Sequence, residues 1–221
     1  MPHALAVLFD VDGTLLDTKD EWIEAFNATL AVVGERPRPP GEILPWIGTP
    51  LETILSEFVG LRGTDIATAT ATFARLEHGA LSRTVRVFRG IPEALLGLSP
   101  APMGAVTNKR TDTAREALRR GGILPAFSVV VGGDAVERKK PAPDPVMQAA
   151  RLLGSRPQDC VLVGDTENDI LAGKAAGTKT IGVLWGYRRR EKLEAEGPDA
   201  LAGDPAELAG LVARLRPSTA I

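Results

Sequence analysis

Short apolar runs recur along the 221-residue chain, at 4–9, 103–107, 127–131, 160–164 and 179–184, with helical patterns between them. Runs of that length, apolar at nearly every position, predict strands buried on both faces. Their alternation with helices predicts an α/β fold with a parallel, doubly wound, Rossmann-like sheet. Two helix starts are explicit: Asp144-Pro145 before VMQAARLLG and Asp204-Pro205 before AELAGLVARL. Each places a capping residue ahead of a proline suited to the first helical position. Gly154 is a natural stop for the first of them.

Residues 19–88 break this rhythm. Trp22, Ile23, Phe26 and Leu30, then Leu51, Ile54, Leu55 and Phe58, then Ile66, Phe73 and Leu76 fall at helical spacings with no strand run between them. The expectation is a small all-helical domain at 19–88, inserted into a core domain built from 1–18 and 89–221. The proline-rich stretch ERPRPPGEILPWIG, short and flanked by apolar residues, reads as a helix-to-helix loop within it. The chain shows no internal repeat or low-complexity segment.

Composition narrows the field. The chain is 44% hydrophobic and 24% charged, with 26 basic against 28 acidic residues, which argues against disorder, a nucleic-acid-binding surface and a membrane-binding face. An anionic ligand must therefore be attracted locally. The N-terminal stretch lacks a basic lead, and no segment is long enough to span a bilayer. Cys160, the only cysteine, sits in the apolar CVLVG and reads as a buried small hydrophobe; a chain without internal disulfides fits a reducing cytoplasm. His3 and His78 have no metal-ligand spacing and read as structural or surface residues.

The chemistry gathers elsewhere. LFDVDGTLLDT places Asp10 and Asp12 one residue apart at the end of an apolar run. In a strand, i and i+2 share a side, so the two carboxylates converge and call for a cation or a shared proton. Three more polar clusters stand at predicted strand ends: Thr107 with Asn108, Lys140 before Pro141, and Asp165 with Asp169 in GDTENDI. The carboxyl ends of strands are where open parallel sheets bind ligands. Singly, each has an ordinary explanation: a turn at Asp12-Gly13, a helix cap at Asp165, a strand end at Thr107.

In this order the clusters DVDGT, VTN, KKPAPDP and GDTENDI resemble the four motifs of the haloacid dehalogenase superfamily, and the resemblance spans nearly the whole chain. The chain runs far longer between Asp12 and Asn108 than between Asn108 and Lys140, which matches members with a helical C1 cap after the first motif. The resemblance implies that Asp10 attacks phosphorus and forms an aspartyl-phosphate. It implies Mg²⁺ held by Asp10, the backbone carbonyl of Asp12 and Asp165, with Asp169 orienting a water or a metal ligand. Asp12 would protonate the leaving alkoxide and later activate water. Thr107, Asn108 and Lys140 would bind the phosphoryl group; Lys139 is the neighbouring alternative, disfavoured because it does not directly precede proline.

An aspartate at the position of Asp12 leaves a phosphomonoesterase or a phosphomutase among the superfamily's activities. GVLWGY at 182–187 and TNK at 107–109 resemble the phosphoglycolate phosphatase and pyrophosphatase branch. The expected substrate is thus a small phosphorylated metabolite, 2-phosphoglycolate first and inorganic pyrophosphate second. A sugar-phosphate mutase is a further possibility, and an inert binding protein on the same fold is the non-enzymatic one. No nucleic-acid or membrane partner is expected, and either a monomer or a homodimer is compatible. Trp185 and Tyr187 read as packing residues more than as an entrance; Arg188, Arg189 and Arg190 read as a solvated face. WIGTPLETI at 46–54 reads equally as a segment facing the active site and as an ordinary loop before a helix.

Overall fold

The computed structural model describes residues 5–80 and 85–215; His3 and residue 4, where the first apolar run begins, lie outside them. In chain order come β1 (Ala6–Phe9), β2 (Leu16–Asp17), α1 (Lys19–Val32) and α2 (Pro40–Ile43). They are followed by a 3-10 turn (Leu44–Trp46), α3 (Leu51–Thr53) running into a π-helical stretch (Ile54–Val59), and α4 (Gly63–Ala80). The chain then forms β3 (Arg86–Val87), α5 (Ile91–Leu98), β4 (Met103–Val106), α6 (Thr111–Arg120) and β5 (Val129–Val131). It ends with α7 (Asp144–Leu152), β6 (Cys160–Gly164), α8 (Glu167–Ala176), β7 (Lys179–Val183), α9 (Arg190–Ala195), β8 (Ala200–Ala202) and α10 (Leu208–Leu215).

Six strands form one parallel sheet in the order β5-β4-β1-β6-β7-β8. The near-continuous apolar runs are explained by two-sided burial. In β1, Val7 and Phe9 enter one core cluster with α5 and α10, while Ala6 and Leu8 enter another with α7 and α8. In β6, Val161 and Val163 alternate with Cys160 and Leu162 in the same way. Because β1 lies between β4 and β6, its carboxyl end is flanked by the ends of both, and the four polar clusters follow from these strands and the connection after β5.

Several boundaries differ from the sequence reading. β1 ends at Phe9, so Asp10 and Asp12 lie in the turn beyond the strand, and strand alternation is not what arranges their side chains. Asp144 is the first residue of α7 and Pro143 occupies the cap position. Asp204 does cap: its side chain accepts from the Ala206 N–H at 2.9 Å, ahead of the short turn that leads into α10. The edge strand β8, only Ala-Leu-Ala, carries too little pattern to be read as a strand.

Between β2 and β3 the described elements are all helical, and the two short strands pair antiparallel where the chain leaves and rejoins the sheet domain. The helical segment has its own apolar cluster, from Trp22 and Phe26 on α1 through Ile43 and Ile54 to Phe73 on α4. Trp22 stacks on Phe26 at 5.1 Å and meets Phe73 at 5.0 Å, while Phe58 stacks on the far side of Phe26 at 6.5 Å. The proline-rich stretch is only in part the expected helix-to-helix loop: residues 35–39 link α1 to α2, whereas Pro40–Ile43 and Leu44–Trp46 are helical and place Ile43 in this cluster. Phe26 is fully buried at the centre. Phe26→Ala should therefore lower the unfolding free energy by about 3–5 kcal/mol, the range for emptying a packed aromatic site; urea denaturation followed by circular dichroism measures it, and a loss under 1 kcal/mol would contradict the packing.

Candidate active site

The first cluster is built on a tight turn after β1. Gly13, at φ +89°, sits where a Cβ would lie 2.3 Å from Asp165 Oδ2, so only glycine lets this turn lie against the end of β6. Thr14 Oγ1 donates to Asp165 Oδ1 at 2.9 Å, and the Tyr187 backbone N–H donates to Asp165 Oδ2 at 2.9 Å. At the start of α8, Thr166 and not Asp165 is the capping residue, and its backbone N–H donates to Asp169 Oδ2 at 3.0 Å. Asp165 is thereby released to face the turn that carries Asp10.

Lys140 reaches into this group from the loop before α7. Its ammonium, fully buried, donates to Asp10 Oδ1 and Asp169 Oδ1, each at 2.6 Å, and to the Val106 carbonyl at 2.8 Å. Lys139 points elsewhere and donates to both Glu52 oxygens at 2.8 Å. Asp10 Oδ2 is buried with no hydrogen-bond partner among the described residues. Burial, only partly offset by Lys140, and then repulsion from Asp169, Asp165 and Asp12 push the Asp10 carboxyl well above the usual carboxylate range. Burial, followed by Asp169, pushes Asp165 up to about 7.

Asp10, Asp165 and Asp169 present ligand atoms within 4.8 Å of one another. A bare buried oxygen beside two further buried carboxylates is a donor set suited to a hard divalent cation. Both Asp169 oxygens are engaged, by Lys140 and by Thr166, and both Asp165 oxygens accept, from Thr14 and from the Tyr187 N–H, so Asp10 Oδ2 is the one bare ligand atom of the three.

The Asp12 side chain faces away from this trio. Its Oδ1 accepts from Thr18 Oγ1 at 2.5 Å and its Oδ2 lies 3.1 Å from the Lys109 ammonium, which also bonds Glu77 on α4. The two opening aspartates are thus kept apart by pairing with different lysines. Thr107 is buried beside them, its Oγ1 accepting from the Lys109 N–H at 3.2 Å. Asn108 is spent on structure: Nδ2 donates to the Gly48 and Lys140 carbonyls at 2.9 and 3.0 Å, and Oδ1 accepts from the Lys140 N–H at 2.9 Å. Both side-chain N–H groups of Asn108 are engaged in this arrangement, so a phosphate contact at this residue would fall to its backbone N–H.

A cavity of about 600 Å³ opens over Asp10, Asp12 and Thr107 and is roofed by the helical segment. Gly48, Thr49, Leu51 and Glu52 line it, so the WIGTPLETI segment does face the site. Gly48 has φ +93°, and its carbonyl accepts from Asn108 and, at 3.3 Å, from Asn168. Arg188 is not part of a solvated face. It is buried, pairs with Glu167 at 2.9 Å and donates to the Leu44 and Ile47 carbonyls at 3.3 and 2.9 Å, tying the helical segment to α8. Tyr187 and Trp185 do pack: Tyr187 OH accepts from the Thr18 N–H at 2.8 Å and Trp185 Nε1 donates to the Thr14 carbonyl at 3.0 Å. Glu77, Lys109, Thr18 and Arg188 have no signal in the sequence beyond the TNK tripeptide that contains Lys109.

The model of the haloacid dehalogenase-like hydrolases matches residues 7–183, a span that holds all four clusters. The chain belongs to this family. A pyrophosphatase PpaX of Bacillus pumilus is 36% identical over 208 residues, covering 93% of this chain and 95% of its own. A phosphoglycolate phosphatase of Neisseria meningitidis is 33% identical, covering 93% and 92%. The solved haloacid dehalogenase-like hydrolase of Streptococcus pneumoniae superposes with a TM-score of 0.83 at 26% identity, covering 96% of this chain and 99% of its own.

The Asp165 carboxyl gives a test of cation binding that does not depend on turnover. Its value rises from an ordinary 3.8 to about 7 on folding, so folding takes up a proton between those limits. In the metal-free protein this group's stabilising effect is complete below pH 3.8 and is lost as pH rises through about 7. A divalent cation on the cluster removes that loss, so adding Mg²⁺ should raise Tm more at pH 8 than at pH 5. Equal gains at both pH values in a thermal scan would rule out binding at these carboxylates.

Proposed function

We propose that this family member is a Mg²⁺-dependent phosphatase of a small phosphorylated metabolite, working through an aspartyl-phosphate on Asp10. One observation carries the reading: Asp10 lines the cavity with Thr107, and Lys140 holds its Oδ1 while Oδ2 has no partner among the described residues. We take residues 19–88 as the cap domain, and 1–18 with 89–221 as the catalytic core. Asp10, Asp165 and the backbone carbonyl of Asp12 would hold the cation, with Asp169 orienting a water or a ligand. When bound, Mg²⁺ draws charge from the phosphate and lets an anionic nucleophile approach it.

Asp10 Oδ2 forms a bond to phosphorus as the ester P–O bond breaks, and the departing oxygen takes a proton from Asp12. Asp12, now ionised, accepts a proton from water; the water oxygen bonds to phosphorus, the bond to Asp10 breaks and inorganic phosphate leaves. Thr107 and Lys140 stabilise the phosphoryl oxygens throughout. Lys109 and Thr18 keep Asp12 on the cavity side of the turn, and Asn108 sets the loop that carries Lys140. A cytoplasmic setting is part of the same proposal; the lone Cys160 is buried and free, and burial, then Asp159, pushes its thiol up to about 12. The names of the relatives support 2-phosphoglycolate and pyrophosphate as the first substrates to assay. A mutase on the same residues would transfer phosphate without releasing it, and an inert binding protein would release none.

Rapid-mix kinetics with p-nitrophenyl phosphate separates the two aspartates. Asp10→Asn should fold normally and give neither burst nor turnover. Asp12→Asn should give a burst of nitrophenol and then turnover slowed about 10²–10⁴-fold, because this leaving group needs no proton while water still needs a base. A folded, active Asp10→Asn protein would refute the nucleophile.

A further inference from the structure

The wall opposite the catalytic residues selects the leaving group, and its composition is unusual for an enzyme whose relatives are named for anionic substrates. From the helical cap the cavity receives Trp22, Leu51 and Phe73, a face of α4 made of Ala67, Thr70, Ala71 and Ala74, and two carboxylates, Glu52 and Glu77. Among the described residues of the cap, no lysine or arginine lines it. Three cations line it from the core, Lys109, Arg110 and Lys139, and each already faces a carboxylate. Lys109 is buried between Asp12 and Glu77. Lys139 bonds both oxygens of Glu52, and Arg110 lies 3.3 Å from Asp112 and 3.4 Å from Asp134. Beyond Asp10 and Asp12, the lining therefore balances three carboxylates, Glu52, Glu77 and Asp134, against these three cations.

A leaving group with its own negative charge would enter a partly apolar space with no unmatched cation among the described residues, and would have to break an existing pair to find one there. Size points the same way. At roughly 30 Å³ per water, 600 Å³ holds about twenty waters, far more than glycolate or phosphate displaces. One polar feature stands out on the apolar side: Thr70 Oγ1 is buried and has no hydrogen-bond partner among the described residues.

Resting on the phosphatase reading above, we infer that the enzyme is built for a phosphate monoester whose alcohol portion is uncharged, with an apolar body against Trp22, Leu51 and Phe73 and a neutral hydrogen-bonding group at Thr70. Pyrophosphate and 2-phosphoglycolate are then poor substrates, and Glu52 is a specificity-determining residue that withholds Lys139 from anions.

Benzyl phosphate and 2-phosphoglycolate, both alkyl esters, allow the test without a large difference in leaving-group reactivity. Steady-state phosphate release with Mg²⁺ should give kcat/KM at least tenfold higher for benzyl phosphate than for 2-phosphoglycolate or pyrophosphate. Either anion surpassing benzyl phosphate would overturn the inference while leaving the phosphatase reading intact. No release from any ester, p-nitrophenyl phosphate included, would instead sink the phosphatase reading itself. Glu52→Gln should shift the ratio of kcat/KM for 2-phosphoglycolate over benzyl phosphate upward by fivefold or more, chiefly through KM; an unmoved ratio would show that Glu52 withholds nothing. Thr70→Val should remove the advantage that a hydroxymethyl group on the ring gives benzyl phosphate, and the inference loses its polar contact if wild type shows no such advantage.

Discussion

The Lys140 ammonium holds the site together. It joins the turn after β1, the last carbonyl of β4 and the first turn of α8, at the ends of strands that the sheet already sets side by side. Stripping water from an ammonium and two carboxylates is costly, and the arrangement persists because each hydrogen of the ammonium has an acceptor. Removing one member of such a group costs about 3–5 kcal/mol, since the others are left charged and dry. The same contact leaves one oxygen of Asp10 bare. The proposed mechanism brings an anionic nucleophile to an anionic substrate, which calls for a pinned carboxylate beside a concentrated positive charge, and Lys140 would provide both.

The cap is held over that centre by contacts of unequal strength. Lys139 with Glu52 is partly exposed, so solvent and salt weaken it. Lys109 with Glu77 is buried and connects the cap to Asp12 directly. The most specific grip is on backbone: Asn108 and Asn168 hold the Gly48 carbonyl, and Arg188 holds the ends of the turn before it. The Leu44 carbonyl already accepts from the Ile47 N–H at 3.3 Å, whereas that of Ile47, just past the short helix, takes its bond from the guanidinium, which fixes the cap at the same time. Gly48 is required there because a Cβ would lie 2.8 Å from Thr166.

What the sequence made legible was what strands dictate. Each of the four clusters follows a strong apolar run or a motif of fixed spacing, and a parallel sheet brings those ends together whatever the loops do. The side chains' partners were not legible, because they are set by packing between distant segments. Asp12 is paired by Lys109 and Thr18, and Lys109 by Glu77, which looks in the sequence like any charged residue on an amphipathic helix. Three consecutive arginines suggest a solvated face, but the first of them lies under the turn at Leu44–Trp46 and is buried. Strands of two residues such as β2 and β3 are too short to display any period, although they set the point where the cap departs from the core.

Chemistry and selection are carried by different parts of this molecule, and the physical demands on each differ. The floor consists of charges whose burial is tolerable only while every partner stays in place, so almost any substitution there is costly. At Ala67, Thr70, Ala71 and Ala74 the α4 wall of the roof bears small, uncharged side chains, while Phe73 and Ala69 of the same helix enter the cap's own core. Substitutions at Ala67, Ala71 or Ala74 would change the shape and charge presented to the leaving group without disturbing either that core or the Lys140 cluster. A protein with this same floor could thus take a different substrate through a few residues of one helix face, and the floor alone says little about which group departs.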